Sequence, residues 1–284
     1  MKPQFQHQVA TSFLLWFENY FLKKSEAYSV QTGSFLYYLD DRLPDDFSSY
    51  GSQYKQMVYD KSLPNVCVPD GLYLNGSYVP FEQNKYMLDF DNGRFIGEDL
   101  SESINVTGTF TVKDINLYYT NDTEENIVLN VQEKINEGVA NKHEFYKPYD
   151  QKLPAIYLSN EYVYNQPFAF GGLNKTVTRT KAIAIMNSSY ELDTIMSIFS
   201  DSYTESFALL QYDDHPLNEY GFLKNSDYSY QELNQTKEFY VENVYTSKLS
   251  DKIKQNLLKD LYIGFIDFDL SIHRYRSWFP KDKF

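Results

Sequence analysis

Two Asn-Gly dipeptides, each set between runs of strand-forming residues, constrain the middle of this chain to antiparallel hairpins. The first, Asn75-Gly76, lies within residues 72–79, and the second, Asn92-Gly93, lies within residues 87–96. Asn and Gly both tolerate a positive φ, which a two-residue type I′ turn requires at both of its positions. We therefore predict two consecutive β-hairpins, each closed by its Asn-Gly pair.

Apolar and polar residues alternate after the hairpins, which predicts further strands. Residues 104–112 follow this pattern, and it changes phase before Ile115, which we interpret as a β-bulge near Lys113. Residues 127–131 are apolar enough to predict one more strand. We expect residues 64–132 to form a small antiparallel β-domain built on hairpins.

The clearest helical pattern lies at the N-terminus, in residues 5–24. Apolar side chains recur there at helical spacing, and leucines widen the apolar face until it covers nearly the whole circumference. Such a helix needs cover on several sides, so it either packs on its own domain or docks on a neighbouring subunit. The candidate subunit-contact residues of this helix are Phe13, Trp16, Phe17, Tyr20 and Phe21.

Residues 25–63 carry many aromatic residues without a clean period, and turn formers such as Gly51 interrupt them. This composition predicts an ordered, extended arm with short turns. The arm either wraps a neighbouring subunit or forms a plain surface excursion, and Tyr37 and Tyr38 complete the candidate contact set. Residues 1–63 are thus expected to form an N-terminal amphipathic helix followed by an aromatic arm.

Residues 153–284 predict a second unit of mixed composition, after a linker at residues 133–152. Ser188 and Glu191 form a capping box, which opens a helix with apolar residues at i, i+3, i+4 and i+7. A helix layered on a largely antiparallel sheet is an α+β arrangement. The predicted strands of this unit lie at residues 154–158, 177–186, 207–212, 239–245 and 261–272.

Composition narrows the possible classes of protein. The chain has 27 Tyr and 21 Phe among 284 residues, and so much aromatic surface disfavours disorder over most of its length. Its net charge of −13 disfavours general binding to nucleic acid, because phosphate affinity comes mostly from clustered Lys and Arg. We expect no sequence-specific nucleic-acid partner either.

Cys67 is the only cysteine, so no internal disulfide can form, which fits a reducing compartment or a protein indifferent to redox state. No run of residues reaches the length of about 20 apolar residues that a membrane-spanning helix needs. We therefore expect no membrane partner.

The histidines do not point to a metal site, because they are scattered and no pair has i, i+4 spacing. The most suggestive cluster is Asp213-Asp214-His215, since a carboxylate can orient an imidazole for acid–base chemistry. Pro216 follows directly, so we interpret the cluster as the start of a loop. The four histidines are His7, His143, His215 and His273.

Two Asp-Phe-Asp triplets each place two carboxylates on one strand face: Asp89 with Asp91, and Asp267 with Asp269. Such pairs could hold a divalent cation or serve glycoside hydrolysis. The first lies at a hairpin turn, where Asp is favoured anyway, and we interpret both as solvated faces. The sequence therefore assigns no catalytic residue, no metal ligand and no cofactor.

Five short strings, spread in order over most of the chain, resemble parts of a virion structural protein of marine T-even-like, contractile-tailed bacteriophages. The N-terminal string, WFENYFLKKSEAY, resembles the opening of that protein. The resemblance covers particular strings, and each string alone is short. The five strings occupy residues 16–28, 71–76, 89–94, 121–125 and 168–172.

The resemblance implies a virion component that is assembled in the host cytoplasm and placed at the neck, the head–tail junction or the tail terminus. It implies that residues 153–284 have a tail-terminator-like fold, and that the partners are copies of the chain in a ring and other neck or tail proteins. Such proteins carry no catalytic residues to transfer. Two alternatives remain open: a carbohydrate- or receptor-binding β-module with exposed Tyr, and a glycoside hydrolase that uses Asp267 or Asp269.

Overall fold

The computed structural model describes residues 5–39, 43–44, 46–82, 85–128, 151–167, 173–249 and 261–275. Within them the chain has a mixed α+β fold with mostly antiparallel sheets and few helices, which confirms the predicted fold class.

Helix α1 spans Phe5–Ser25 and confirms the predicted N-terminal helix. Lys23 and Lys24 lie in its last turn, where positive charge opposes the negative end of the helix dipole. The helix ends where Glu26 adopts a positive φ of 51° and its amide donates a hydrogen bond to the carbonyl of Leu22. The end is therefore set by local backbone geometry.

The first sheet has seven strands in the order β4-β3-β7-β1-β2-β6-β5, and each neighbouring pair is antiparallel. Its strands are β1 (Tyr28–Leu39), β2 (Phe47–Gly51), β3 (Gly71–Leu74), β4 (Ser77–Pro80), β5 (Tyr86–Asp89), β6 (Arg94–Glu98) and β7 (Val106–Lys113).

The second sheet has six strands in the order β11-β12-β13-β10-β9-β8, all antiparallel except the β8–β9 pair. Helix α2 (Ser189–Ser200) packs on β10, β12 and β13, and a short helix α3 (Tyr230–Leu233) precedes β12. The strands are β8 (Asn116–Tyr119), β9 (Ala155–Pro167), β10 (Leu173–Met186), β11 (Ser206–Phe207), β12 (Phe239–Lys248) and β13 (Tyr262–Tyr275).

The C-terminal predictions are confirmed except at residues 207–212. The side chain of Ser188 accepts the amide hydrogen of Glu191, as a helix N-cap should. Strand β11 ends at Phe207. Beyond it, the side chain of Asn234 accepts the amide of Ala208 and the hydroxyl of Ser12 accepts the amide of Leu210, in place of a neighbouring strand.

The first Asn-Gly hairpin forms as predicted, and the second forms with a different turn. Asn75 and Gly76 have φ angles of 49° and 82°, as a type I′ turn requires. In the second hairpin Asp89 pairs with Arg94, so four residues form the loop and of these only Gly93 has a positive φ. The longer loop arises because Phe90 turns into the core.

The segment predicted to be an extended arm is part of the first sheet. Strand β1 lies in its interior and pairs with both β7 and β2. Its register shifts between Gln31 and Ser34, where Gly33 has a φ of 61°. This irregularity switches the side chains to the opposite phase, which is why the aromatic residues show no period of two.

The phase shift at Lys113 is a change of sheet and not a β-bulge. Strand β7 ends there, and β8 begins three residues later in the second sheet, parallel to β9. The buried side-chain amide of Gln56 holds the start of β8. It donates to the carbonyl of Leu117 at 2.7 Å and accepts from the amide of Leu117, also at 2.7 Å.

The strand predicted at residues 127–131 is wrong where the structure describes it, because residues 124–128 are helical. Thr123 starts this turn, since its carbonyl accepts the amide of Ile127 and its hydroxyl accepts the amide of Asn126. Ile127 and Val128 are buried against the second sheet. Residues 129–131 lie outside the described residues, as does most of the predicted linker at residues 133–152.

One continuous hydrophobic core joins α1, both sheets and α2. Aromatic rings of α1 supply its centre: the ring centroids of Trp16 and Phe207 lie 5.0 Å apart, and those of Phe17 and Phe199 lie 4.2 Å apart. The predicted division at residues 1–63, 64–132 and 153–284 stays a prediction, and the described parts of all three share this core.

We predict that Phe17→Ala lowers the free energy of unfolding by about 3–5 kcal/mol, because a stacked, fully buried ring leaves a cavity in the shared core. Urea unfolding followed by circular dichroism measures the change. Tyr190→Ala is the control, since Tyr190 is 80% exposed on α2, and it should change the free energy by roughly 0.5 kcal/mol or less. Equal effects of the two changes would contradict the central position of α1.

Candidate interaction surface

The structure divides the seven candidate contact residues into two groups. It buries the five aromatic residues of α1 within the chain's own core, so a neighbouring subunit cannot reach them while this fold persists. Of the two alternatives for α1, packing on its own domain or docking on a neighbouring subunit, the structure therefore shows the first. Tyr37 and Tyr38 of β1 are about 40% exposed, at 42% and 40%.

Four exposed tyrosines lie on the side of the second sheet that faces away from α1. These tyrosines, together with Arg179 and Asp269, form a surface that we name the outer tyrosine face. Cross-strand register places them together: Tyr162 pairs with Arg179 and Tyr240 with Ser271, two residues beyond Asp269 on β13. The tyrosines are Tyr162, Tyr164, Tyr240 and Tyr245, and they are 39–52% exposed.

Arg179 is fixed at the centre of this face. Its Nε lies 2.8 Å from Oδ1 of Asp269 and its Nη2 lies 3.1 Å from Oδ2, a bidentate pair. The guanidinium carbon also lies 5.5 Å from the ring centroid of Tyr162 and 5.8 Å from that of Tyr245, within cation–π distance. The hydrogen bonds to Asp269 raise the pKa of Arg179.

This arrangement suits stacking and apolar contact better than capture of an anion. Asp269 already neutralises Arg179, so little charge remains for a ligand. The ring packing holds Tyr162 and Tyr245 in place before any partner arrives, which reduces the entropy lost on binding. Tyrosine and arginine are also the residue types that concentrate at protein–protein contacts.

The carboxylates of Asp267 and Asp269 are engaged in ion pairs and are not a solvated face. Lys181 forms an ion pair with Glu124. Its Nζ also lies 2.9 Å from Oε1 of Glu161 and 3.6 Å from Oδ1 of Asp267. Burial raises the pKa of Asp267, which Lys181 opposes. Within the described part of the chain, no group of three or more His, Cys, Asp or Glu residues could hold a metal ion.

A second exposed surface, the aromatic row, crosses four strands of the first sheet. Thr107 of β7 is the cross-strand partner of both Phe35 and Tyr73, and Tyr73 pairs with Tyr78 on the edge strand β4. The rings of Tyr73 and Tyr78 meet edge to face at 5.5 Å. A hydrogen bond to Asp70 raises the pKa of Tyr78 to about 12.

Asp89 is buried and structural, so the prediction of a solvated face is wrong at this position. Its carboxylate accepts the amides of Asp91 and Asn92, and its Oδ2 lies 3.0 Å from Nε of Arg94. Gly221 packs directly against it, where a Cβ would stand 2.2 Å from Oδ1 of Asp89. Asp91 is exposed in the same loop.

The cluster at Asp213 to His215 is the start of a loop, as predicted. The imidazole Nδ1 of His215 lies 3.3 Å from the amide nitrogen of Leu217, and a 3₁₀ turn over Tyr212–Asp214 precedes it. His7 of α1 and His215 line a cleft of about 530 Å³ with Lys224. His273 lies beside Tyr240, and His143 lies outside the described residues.

A charged pair inside the core was missed by the sequence analysis. Oε1 of Glu18, on the apolar helix α1, lies 2.8 Å from Nζ of Lys113, and both side chains are buried. The hydroxyl of Tyr59 donates to Oε2 of Glu18 at 2.7 Å. Burial raises the pKa of Tyr59 well above its ordinary value, with Glu18 adding to the effect.

The outer tyrosine face is likewise not among the sites predicted from the sequence. The alternation of Tyr162 and Tyr164 was an available signal, because it places both rings on one side of a strand. The pairing of Arg179 with Asp269 was not available, since the two residues stand 90 positions apart.

Among the residues that the structure describes, no helix is both long enough and apolar enough to cross a bilayer. Comparison of the chain with known protein families and with curated proteins finds no match.

We predict that Lys113→Met lowers the free energy of unfolding by about 3–5 kcal/mol, because it leaves the buried carboxylate of Glu18 without its cation. Glu18→Gln combined with Lys113→Met should be less destabilising than the sum of the two single changes, since neither charge is then stranded. Urea unfolding of the four proteins of this cycle measures the coupling. Strict additivity would contradict the ion pair.

We predict that His215 makes the fold less stable in mild acid. Burial lowers the pKa of His215 below its ordinary value of 6.5; Lys224 and Lys113 add to this, whereas Glu18 and the Leu217 carbonyl oppose it. The unfolded chain therefore takes up the proton first, and stability that is present above pH 6.5 is lost as the pH falls through the folded-state pKa.

The measurement is the difference in unfolding free energy between the protein and His215→Gln, from about pH 8 to about pH 5. This difference in unfolding free energy should be constant above pH 6.5, the ordinary pKa of His215. Below pH 6.5 the protein should lose stability relative to the His215→Gln variant. A difference that does not vary with pH would rule out this role for His215.

Proposed function

We propose that this chain is a structural subunit of a contractile-tailed bacteriophage particle, in a ring at the neck, the head–tail junction or the tail terminus. It acts through protein–protein contacts and carries no catalytic site. Five strings in the sequence that resemble a virion structural protein of such phages support the assignment. Its partners are then copies of itself and other neck or tail proteins.

The observation that carries the proposal is the pair of exposed aromatic sheet faces on a chain that already has a complete core. Phe35, Tyr73 and Tyr78 project from the first sheet, and the outer tyrosine face projects from the second. Exposed aromatic surface of this extent on separate faces is typical of proteins that bind other proteins. Two faces on one subunit suit an assembly in which each copy has several neighbours.

The proposed contact set is therefore revised. The aromatic side of α1 stabilises the subunit itself, whereas Tyr37, Tyr38, the aromatic row and the outer tyrosine face are the surfaces that neighbours would cover. The tail-terminator-like fold of the second half remains part of the proposal. It is supported by α2 lying on β10, β12 and β13, a helix on an antiparallel sheet.

One observation favours a second candidate, a carbohydrate-binding module. The aromatic row crosses the sheet in a line and has the hydroxyl of Thr107 within it. Rings displayed in this way on strands can stack on sugars. The outer tyrosine face does not favour this candidate, because Arg179 already occupies the space between Tyr162 and Tyr245.

We predict that the chain self-associates and that Phe35→Ser with Tyr73→Ser weakens association by about tenfold or more, which corresponds to about 1.4 kcal/mol. Both residues are exposed, so the monomer should keep its unfolding midpoint. Sedimentation velocity over a range of concentrations measures association, and Tyr190→Ser on α2 is the matched control. Mass spectrometry of purified virions that encode the chain should detect it in stoichiometric amounts.

A monomer at every concentration, together with absence from purified virions, would end the structural proposal. Specific hits on a glycan array that are lost in the Phe35→Ser and Tyr73→Ser variant would support the carbohydrate-binding module in its place.

A further inference from the structure

The second sheet has two long strand edges that no described residue of the chain covers. On β9, pairing with β8 stops at Leu158, so residues 159–167 have an open outer edge. On β12, pairing with β11 covers only Phe239 and Tyr240, and the last backbone bonds on that side reach Val241. Residues 243–248 therefore form the second open edge.

The strand directions make these two edges complementary to each other. Strands β12, β13, β10 and β9 alternate in direction across the sheet, so β9 runs opposite to β12. A rotation about an axis parallel to the strands keeps every strand direction. Two copies related in this way bring β9 of one beside β12 of the next in an antiparallel arrangement, which can form a regular ladder.

We propose that β9 of one copy pairs through its outer edge with β12 of a second copy, so that one antiparallel sheet continues from subunit to subunit. The contact uses different edges on its two sides, and repetition of such a contact closes into a ring when the rotation per subunit allows it. This proposal rests on the proposed structural function, and it names one contact between copies in addition to the aromatic row.

The side chains along both edges are compatible with such an approach. The same face of the sheet carries Tyr162 and Tyr164 on β9 and Tyr240 and Tyr245 on β12. Pairing would place the β9 tyrosines of one copy beside the β12 tyrosines of the next. The outer tyrosine face would then extend without interruption across the contact, and each ring would lose some of its exposure to water.

The charges along the edges are already balanced within each copy. Each strand has one extra residue at a register shift, Glu161 on β9 and Glu242 on β12. Nζ of Lys181 lies 2.9 Å from Oε1 of Glu161, and Nζ of Lys175 lies 2.5 Å from Oε1 of Glu242. Two negative edges would repel each other, and these lysines remove that repulsion.

Most positions of the two open edges lack Lys and Pro, two of the residue types that prevent strands from pairing with other chains. Pro167 and Lys248 stand only at the last position of each open edge, and residues 159–166 and 243–247 contain neither residue type. Strand β9 does carry one register shift inside its open edge, at Glu161. Strands β9 and β12 have 13 and 10 residues, and their open parts, residues 159–167 and 243–248, are long enough for a short ladder of hydrogen bonds.

Cross-linking between single-cysteine chains tests the pairing. Ser159→Cys and Ser247→Cys are near-isosteric changes at the two open edges, in a Cys67→Ser background, and both residues point to the same side of the sheet as the outer tyrosine face. A bismaleimide that spans roughly 10 Å covers the distance between diagonal cross-strand neighbours with some freedom in register. Ser226→Cys, in an exposed loop, is the matched control.

The proposal predicts a covalent dimer when the Ser159→Cys and Ser247→Cys chains are mixed, and none with either chain alone or with the Ser226→Cys chain. A chain with both changes should give a ladder of covalent oligomers. Dimers from one chain alone would show symmetric pairing of like edges and overturn the proposal. The absence of cross-links at both edges would overturn it as well.

Hydrogen exchange on the unmodified chain gives a second measurement. Among residues 159–166 and 243–248, the amides that point to the open edge should exchange about tenfold more slowly at high protein concentration than at low concentration, because pairing protects them. Association without this protection would overturn the edge contact and leave the structural function standing. Protection and cross-linking of a chain that is absent from virions would support the edge contact and contradict the phage assignment.

Discussion

The structure depends on the aromatic side of helix α1 being covered by the chain itself. Trp16 stacks on Phe207, Phe17 stacks on Phe199, and Phe13 meets Phe268 edge to face at 5.4 Å. Those three partners come from β11, α2 and β13, so one helix holds three elements that are distant in sequence. Burial of apolar surface is the main favourable term in folding, and α1 contributes eight buried residues to the shared core.

Sequence alone predicts the elements whose signals are local. The positive φ angles of Asn75 and Gly76, the N-cap at Ser188 and the helical spacing in α1 each depend on residues within a turn or two. Most strands of the second half are predicted for the same reason, and the two longest, β10 and β13, pair with each other without any register shift. The α+β class then follows from the order of these elements.

Sequence fails where a distant contact decides the local structure. The loop after Asp89 is longer than its Asn-Gly pair suggests, because Phe90 enters the core and its amide binds the carbonyl of Gly221. Strand β1 loses its alternation at Gly33, so its place inside a sheet is hidden. The same limit applies to the outer tyrosine face. The side of the strand on which each tyrosine lies can be predicted from local alternation, but the Arg179–Asp269 pair between the tyrosines cannot.

The side chain of Gln56 has a consequence for the edge of the second sheet. Strand β8 is the last strand on that side, and such a strand normally presents unpaired backbone groups to solvent. The amide of Gln56 has one donor group and one acceptor group in the spacing of a peptide unit, and it satisfies both backbone groups of Leu117. It thus replaces a neighbouring strand at Leu117 and shields that position of the edge from intermolecular pairing.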